Sequence, residues 1–147
     1  MDVTLIVDGA NVMGSRADGW WRDRAGAMAR LHGELAALAA RGIQGPVPGD
    51  PAAVREPESG DAAGARWYPH VFLVVEGRAR KMLDLVSPAP AVRVIAARGE
   101  GDDEIADLAG RLTGQRIVIT ADRELRRRCE AAGAAVTGPS WLIRQFG

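Results

Sequence analysis

The sequence predicts a three-layer α/β fold with a mostly parallel central sheet of about five strands. Three observations carry this. Short, unbroken apolar runs rich in Val and Ile recur along the chain, and a strand that is apolar on both faces belongs in a sheet covered on both sides. Segments of helical period fall between those runs, which is the order that builds parallel sheets through crossover helices. The 147 residues are 47% apolar, so one domain spanning 1–147 can fill a core.

The elements follow in order. Val3 to Val7 is the first apolar run, in the stretch LIVDGANVMG. Trp20 to about Arg41 reads as a helix, because Met28, Leu31, Leu35 and Leu38 recur at helical spacing and Gly42 offers a stop. Residues 44–66 are dominated by Pro, Gly, Asp and Glu without a period, and are expected to form a mobile surface loop. Val71 to Val75 and Val92 to Ala96 are the second and third strands. In GEGDDEIADLAGRL, Ile105, Leu108, Ala109 and Leu112 mark an amphipathic helix entered through Asp102 or Asp103. Arg116 to Thr120 is the fourth strand. Asp122 opens a helix with Leu125, Cys129 and Ala132 inward, and Gly133 ends it. Ala134 to Thr137 is a short fifth strand, and Pro139-Ser140 begins a last helix through Phe146.

Composition narrows the chemistry. Basic and acidic residues balance at 19 each, so any nucleic-acid binding must come from a local patch. The lone Cys129 excludes an internal disulfide and a cysteine-built zinc cluster. His32 and His70 are too far apart for a histidine metal motif. No apolar run reaches the ~20 residues of a membrane span, and the start lacks the basic region of a signal peptide. A cytoplasmic location is the resulting expectation.

The acids fall at informative places. Asp8 ends the first strand, Glu76 follows the second, and Asp122 follows the fourth within two residues. In an open α/β sheet the ligand crevice lies outside the carboxyl ends of the strands, so these distant acids should meet along one edge. Asp102 and Asp103 enter from the same side if the crossover is right-handed. Gathered carboxylates repel, and a divalent cation relieves them: Mg²⁺ or Mn²⁺ takes hard oxygen ligands, activates water and steadies charge on a phosphodiester. Asn11 adds an amide for a carboxylate, a coordinated water or a phosphate oxygen. The competing reading is capping, which suits Asp102, Asp103 and Asp122 taken singly. It suits Asp8 less well, since an acid at the end of a covered strand is costly unless paired.

VDGAN (Val7 to Asn11), GDDEIADL (Gly101 to Leu108) and ITADREL (Ile119 to Leu125), in this order and spacing, resemble the NYN branch of the PIN-like ribonucleases. The resemblance covers most of the chain outside residues 44–66. It implies a PIN-like α/β/α domain that cleaves RNA with Mg²⁺ or Mn²⁺. Position by position, it implies that Asp8 is the first acidic ligand, Asn11 the motif asparagine, Asp102 the acid opening the later helix with Asp103 its competitor, and Asp122 the acid after the Thr-Ala pair. Glu76 stands where relatives often carry an acid, although V-V-E-G departs from their usual F-D-G-like context.

Two basic runs flank the expected acidic edge. RELRRR puts Arg123, Arg126 and Arg127 on one side of a helix, and GRARK carries Arg78 and Lys81; both could hold RNA phosphates. A solvated face balanced by Glu124 and Glu130 is the rival account. Trp20, Trp21, Trp67 and Tyr68 could stack unpaired bases, against roles in the core or in anchoring loops. Trp141 and Cys129 read as core. The expectation is therefore a metal-dependent ribonuclease with RNA as partner, no membrane, and a homodimer left open. The alternatives are a non-catalytic RNA- or partner-binding module and a metal-dependent phosphohydrolase acting on nucleotides.

Overall fold

In the computed structural model, which describes residues 2–49 and 66–147, β1 (Val3–Asp8) is the middle strand of five. The order across the sheet is β5 (Val92–Ala96), β4 (His70–Val75), β1, β6 (Gln115–Ile119), β7 (Ala135–Thr137), and every neighbouring pair is parallel. Side-chain parity divides the apolar runs between two cores. Leu5 and Val7, Leu73 and Val75, and Ile117 and Ile119 pack against Met28, Leu31, Leu35 and Leu38 of α2 (Arg24–Arg41) and Leu142 of α5 (Pro139–Phe146). Ile6, Val74 and Val118 point the other way, onto Ile105, Leu108 and Ala109 of α3 (Gly101–Arg111) and Leu125 and Cys129 of α4 (Arg123–Ala131). This is the expected three-layer α/β fold, and the double covering explains why the strands show no polar alternation. Among the described residues, no helix is long and apolar enough to cross a membrane.

Several local expectations change. The stretch after Asp8 is a six-residue helix, α1 (Gly9–Gly14), where no element was expected. Asp8 caps it, and Gly9 lets it lie against β4, since a Cβ there would stand 2.6 Å from the Val74 carbonyl oxygen. The helix expected from Trp20 is interrupted: Trp20–Arg22 forms a separate 3-10 turn. Asp23 (φ −151°, ψ 81°) leaves helical geometry, and its carboxylate accepts the Gly26 N–H at 2.9 Å to start α2. Glu100, not Asp102 or Asp103, holds the N-cap position of α3; those two acids lie inside its first turn, where the helix dipole favours them. A 3-10 helix, Gly77–Asp84, follows β4. Of the expected loop at 44–66, residues 50–65 lie outside the described residues, and Val47 in its first part is buried in the core rather than at the surface. The ends of the loop are β2 (Ile43–Gln44) and β3 (Arg66–Trp67), paired antiparallel.

The topology locates the crevice. From β1 the chain steps outward to β4 and β5, then returns across the sheet to β6 and steps to β7 on the other side. The direction reverses between β1 and β6, so the carboxyl ends of those two strands flank the ligand crevice typical of such sheets.

Candidate functional site

Register decides what meets at that crevice. Val7 pairs with Ile119 and Asp8 with Val74. One step further along β1 and β6, Asp8 stands beside Thr120, and both share the parity of Ile6 and Val118 on the α3–α4 face. Glu76 keeps the parity of Val74, two residues on. Three strand exits therefore turn polar groups toward the same side.

The contacts between the exits are direct. The fully buried Thr120 donates its hydroxyl proton to Asp8 Oδ2 at 2.9 Å and accepts the Asp122 N–H at 3.2 Å. The other Asp8 oxygen caps α1 through the Asn11 N–H at 3.2 Å. Asn11 reaches back across the crevice, its Oδ1 accepting the Ala121 N–H at 2.8 Å. Asp122 caps α4 through the Leu125 N–H at 3.0 Å. The segments VDGAN and ITAD are thus stitched together by two side chains, one from each strand exit. Glu76 accepts the backbone N–H of Gly101 and so ties the end of β4 to the start of α3.

Electrostatics sharpen the picture. Burial pushes the Asp8 carboxyl above its ordinary range; the bonds from Thr120 and Asn11 pull it back, and the charges of Glu76 and Asp122 push it up again. Glu76 and Asp122 therefore act on Asp8 as like charges, and the oxygen-only donors suit Mg²⁺ or Mn²⁺. Asp102 and Asp103 take part in a different group. Among the described residues, Glu100, Asp102 and Asp103 are the acids that offer three oxygens within 4.8 Å of one another. Arg128 reaches over them, 3.1 Å from Asp103 and 3.9 Å from Asp102. The acids expected to share one ion thus stand as two groups, Asp8 with Glu76 and Asp122, and Asp102 with Asp103 and Glu100. Both groups offer hard oxygen donors, but among the described residues the second alone brings three of them within 4.8 Å of one another.

The basic residues divide as well. Arg126 is half-buried and its Nε–H donates to the Thr120 carbonyl at 2.8 Å, which latches α4 to β6. Arg123 and Arg127 are exposed, as are Arg78 and Lys81 on the 3-10 helix after β4. Trp67 is buried, stacks on Trp141 at 6.3 Å and donates to the Gly45 carbonyl, so it anchors the loop ends. Cys129 is buried, with its thiol pushed up to about 11 by desolvation. Three residues outside the expected set belong to the site: Thr120, Glu100 and Arg128. Thr120 and Arg128 were visible in and just after ITADREL, but a hydroxyl between two acids and an arginine two turns into a helix acquire meaning only from strand register and helix packing.

Two solved structures share this fold. Rae1 (YacP) from Bacillus subtilis superposes with a TM-score of 0.65 at 19% identity, over 99% of this chain and 74% of that one. A tryptophan-to-leucine mutant of that protein gives 0.64 at 18%, over 99% and 75%. At such identity the likeness is one of fold. No protein-family model matches the chain, and no curated protein matches its sequence significantly.

Proposed function

We propose that the chain is a metal-dependent ribonuclease of the NYN branch of the PIN-like nucleases, hydrolysing RNA phosphodiester bonds at the β1–β6 crevice. The observation that carries this reading is the Asp8–Thr120–Asp122 linkage. Residues 112 positions apart in sequence meet through hydrogen bonds where the fold class puts ligands, and they come from the motifs that resemble that family. Asp8, Asp122 and Glu76 would hold Mg²⁺ or Mn²⁺, while Asp102 and Asp103 belong to the second carboxylate group with Glu100. The ion supplies charge compensation at the phosphate and activation of water. Thr120 fixes the carboxylate of Asp8 and the backbone that carries Asp122. Asn11 ties the two strand exits together through its Oδ1 and the Ala121 N–H. Exposed Arg78, Lys81, Arg123 and Arg127 supply positive charge for the RNA backbone.

The test is cleavage of single-stranded and hairpin RNA by the purified chain with Mn²⁺, Mg²⁺ or EDTA. Cutting is expected with either metal and none with EDTA. Hydrolysis of free nucleotides in preference to RNA would instead identify a phosphohydrolase.

Arg128 favours the rival reading, a non-catalytic RNA- or partner-binding module, because an arginine already compensates Asp102 and Asp103. The two readings separate on Arg128→Gln. If Asp102 and Asp103 serve a metal, losing the competing cation should tighten Mn²⁺ binding by about two- to fivefold, the scale of an exposed ion pair, as read by electron paramagnetic resonance titration. Unchanged or weaker Mn²⁺ binding would assign Arg128 and its acids to structure alone.

A further inference from the structure

We infer that Trp20 and Trp21 form a stacking platform for unpaired bases of a strand held at the crevice; the inference rests on the ribonuclease reading for the identity of the nucleic acid. The two rings belong to the 3-10 turn that Asp23 separates from α2. They stand edge to face, centroids 5.9 Å apart and planes at 89°. Trp21 is 56% exposed. A single exposed tryptophan needs no explanation. Here each ring also carries a guanidinium: Arg22 lies 5.9 Å from the centre of Trp21, and Arg24 lies 5.5 Å from that of Trp20.

The charge at this spot is available. Among the described residues, Arg22 and Arg24 make no ion pair. The neighbouring acids are engaged with backbone, Asp18 with the Trp20 N–H at 3.2 Å and Asp23 with the Gly26 N–H at 2.9 Å. Arg22 lies over one side of Trp21, whose exposure leaves room for a base with a cation at hand for its phosphate, while Trp20 packs against the core and backs it.

Position links the platform to the crevice. Trp20 lies beside Gly14, whose added Cβ would stand 3.9 Å from the indole. Gly14 is the last residue of α1, and the cap of α1 is Asp8. Six helical residues span about 9 Å, so a strand whose phosphate sits at Asp8 passes the tryptophans within a nucleotide or two. In a duplex the bases are held in the stack and cannot reach an aromatic side chain, whereas in a single strand they can.

The experiment is fluorescence anisotropy of labelled oligouridylate and of a labelled RNA hairpin, with the full chain in EDTA so that no cleavage intervenes. Tighter binding of the single strand is expected. Trp21→Ala should weaken it about tenfold, Trp21→Phe should keep most of it, and Arg22→Gln with Arg24→Gln should flatten its salt dependence. Undiminished single-strand binding by Trp21→Ala, or an equal loss on the hairpin, overturns the inference. Metal-dependent cleavage persisting alongside that result leaves the ribonuclease reading standing. Single-strand binding that does not depend on Trp21, in a chain that never cuts RNA, removes both. Because Trp21 is exposed, its variants should melt with the parent, and the Phe variant controls for any that do not.

Discussion

Asp8→Asn is expected to lower metal-dependent RNA cleavage by about a hundred- to a thousandfold, equivalent to ~3–4 kcal/mol of barrier, while the metal-free protein becomes no less stable. The two halves have one cause. Asp8 is half-buried, and burial is the largest influence holding its carboxyl above the ordinary value of 3.8. The folded chain therefore binds that proton more tightly than the unfolded chain. The corresponding stability is fully present below pH 3.8 and is lost as pH rises through the folded value. At neutral pH the ionised, metal-free carboxylate works against the fold, and Glu76 and Asp122 add repulsion. Asparagine keeps an oxygen for the Asn11 N–H but carries no charge to desolvate. In EDTA, thermal melts of the parent should fall more steeply with rising pH than those of Asp8→Asn. Mn²⁺ should raise the melting temperature of the parent and leave the variant nearly unmoved. Equal cleavage by the two proteins would point to a contaminating nuclease and end the assignment.

How far the sequence reaches is visible in these residues. The five strands of the central sheet were legible because each is short, rich in β-branched residues and covered on both faces, and the alternation of strand and helix left few topologies to choose among; the two-residue β2 and β3 were not. The α2 stripe was legible for the same reason of period. The break at Asp23 was not, since Trp20 extends the helical pattern while the cap acts through a single backbone hydrogen bond. Neither was α1, because six residues are too few to show a period. For the site, the edge of the sheet on which Asp8, Glu76 and Asp122 gather followed from the strand ends. The division of the acids followed from nothing in one dimension. Whether Asp102 faces Asp8 or Arg128 depends on how α3 is rotated and where α4 packs against it, and several rotations would satisfy the same apolar stripe. Likewise RELRRR reads as uniform positive charge, yet the structure commits Arg126 to the Thr120 carbonyl and Arg128 to two acids, leaving Arg123 and Arg127 at the surface.

Thr120→Val should reduce cleavage by about ten- to a hundredfold and destabilise the fold by about 1–3 kcal/mol, the cost of buried polar groups left without partners. Valine fits the space but can neither donate to Asp8 nor accept from Asp122. Thr120→Ser restores both bonds and should recover most of the activity. A loss of stability alone would be compatible with a purely structural threonine, so the decisive readout is the pH profile. The Thr120 hydroxyl is the larger of the two hydrogen-bonding influences that lower the Asp8 carboxyl against its burial. Without it the carboxyl should titrate at higher pH still, because desolvation and the charges of Glu76 and Asp122 remain. The acid limb of the cleavage profile, where Asp8 gains its proton, should move toward neutrality in the valine variant and stay in place in the serine variant. A slower enzyme with an unmoved acid limb would show that Thr120 only supports the strand end. A shifted limb would show that one buried hydroxyl sets the charge of the acid on which the crevice depends.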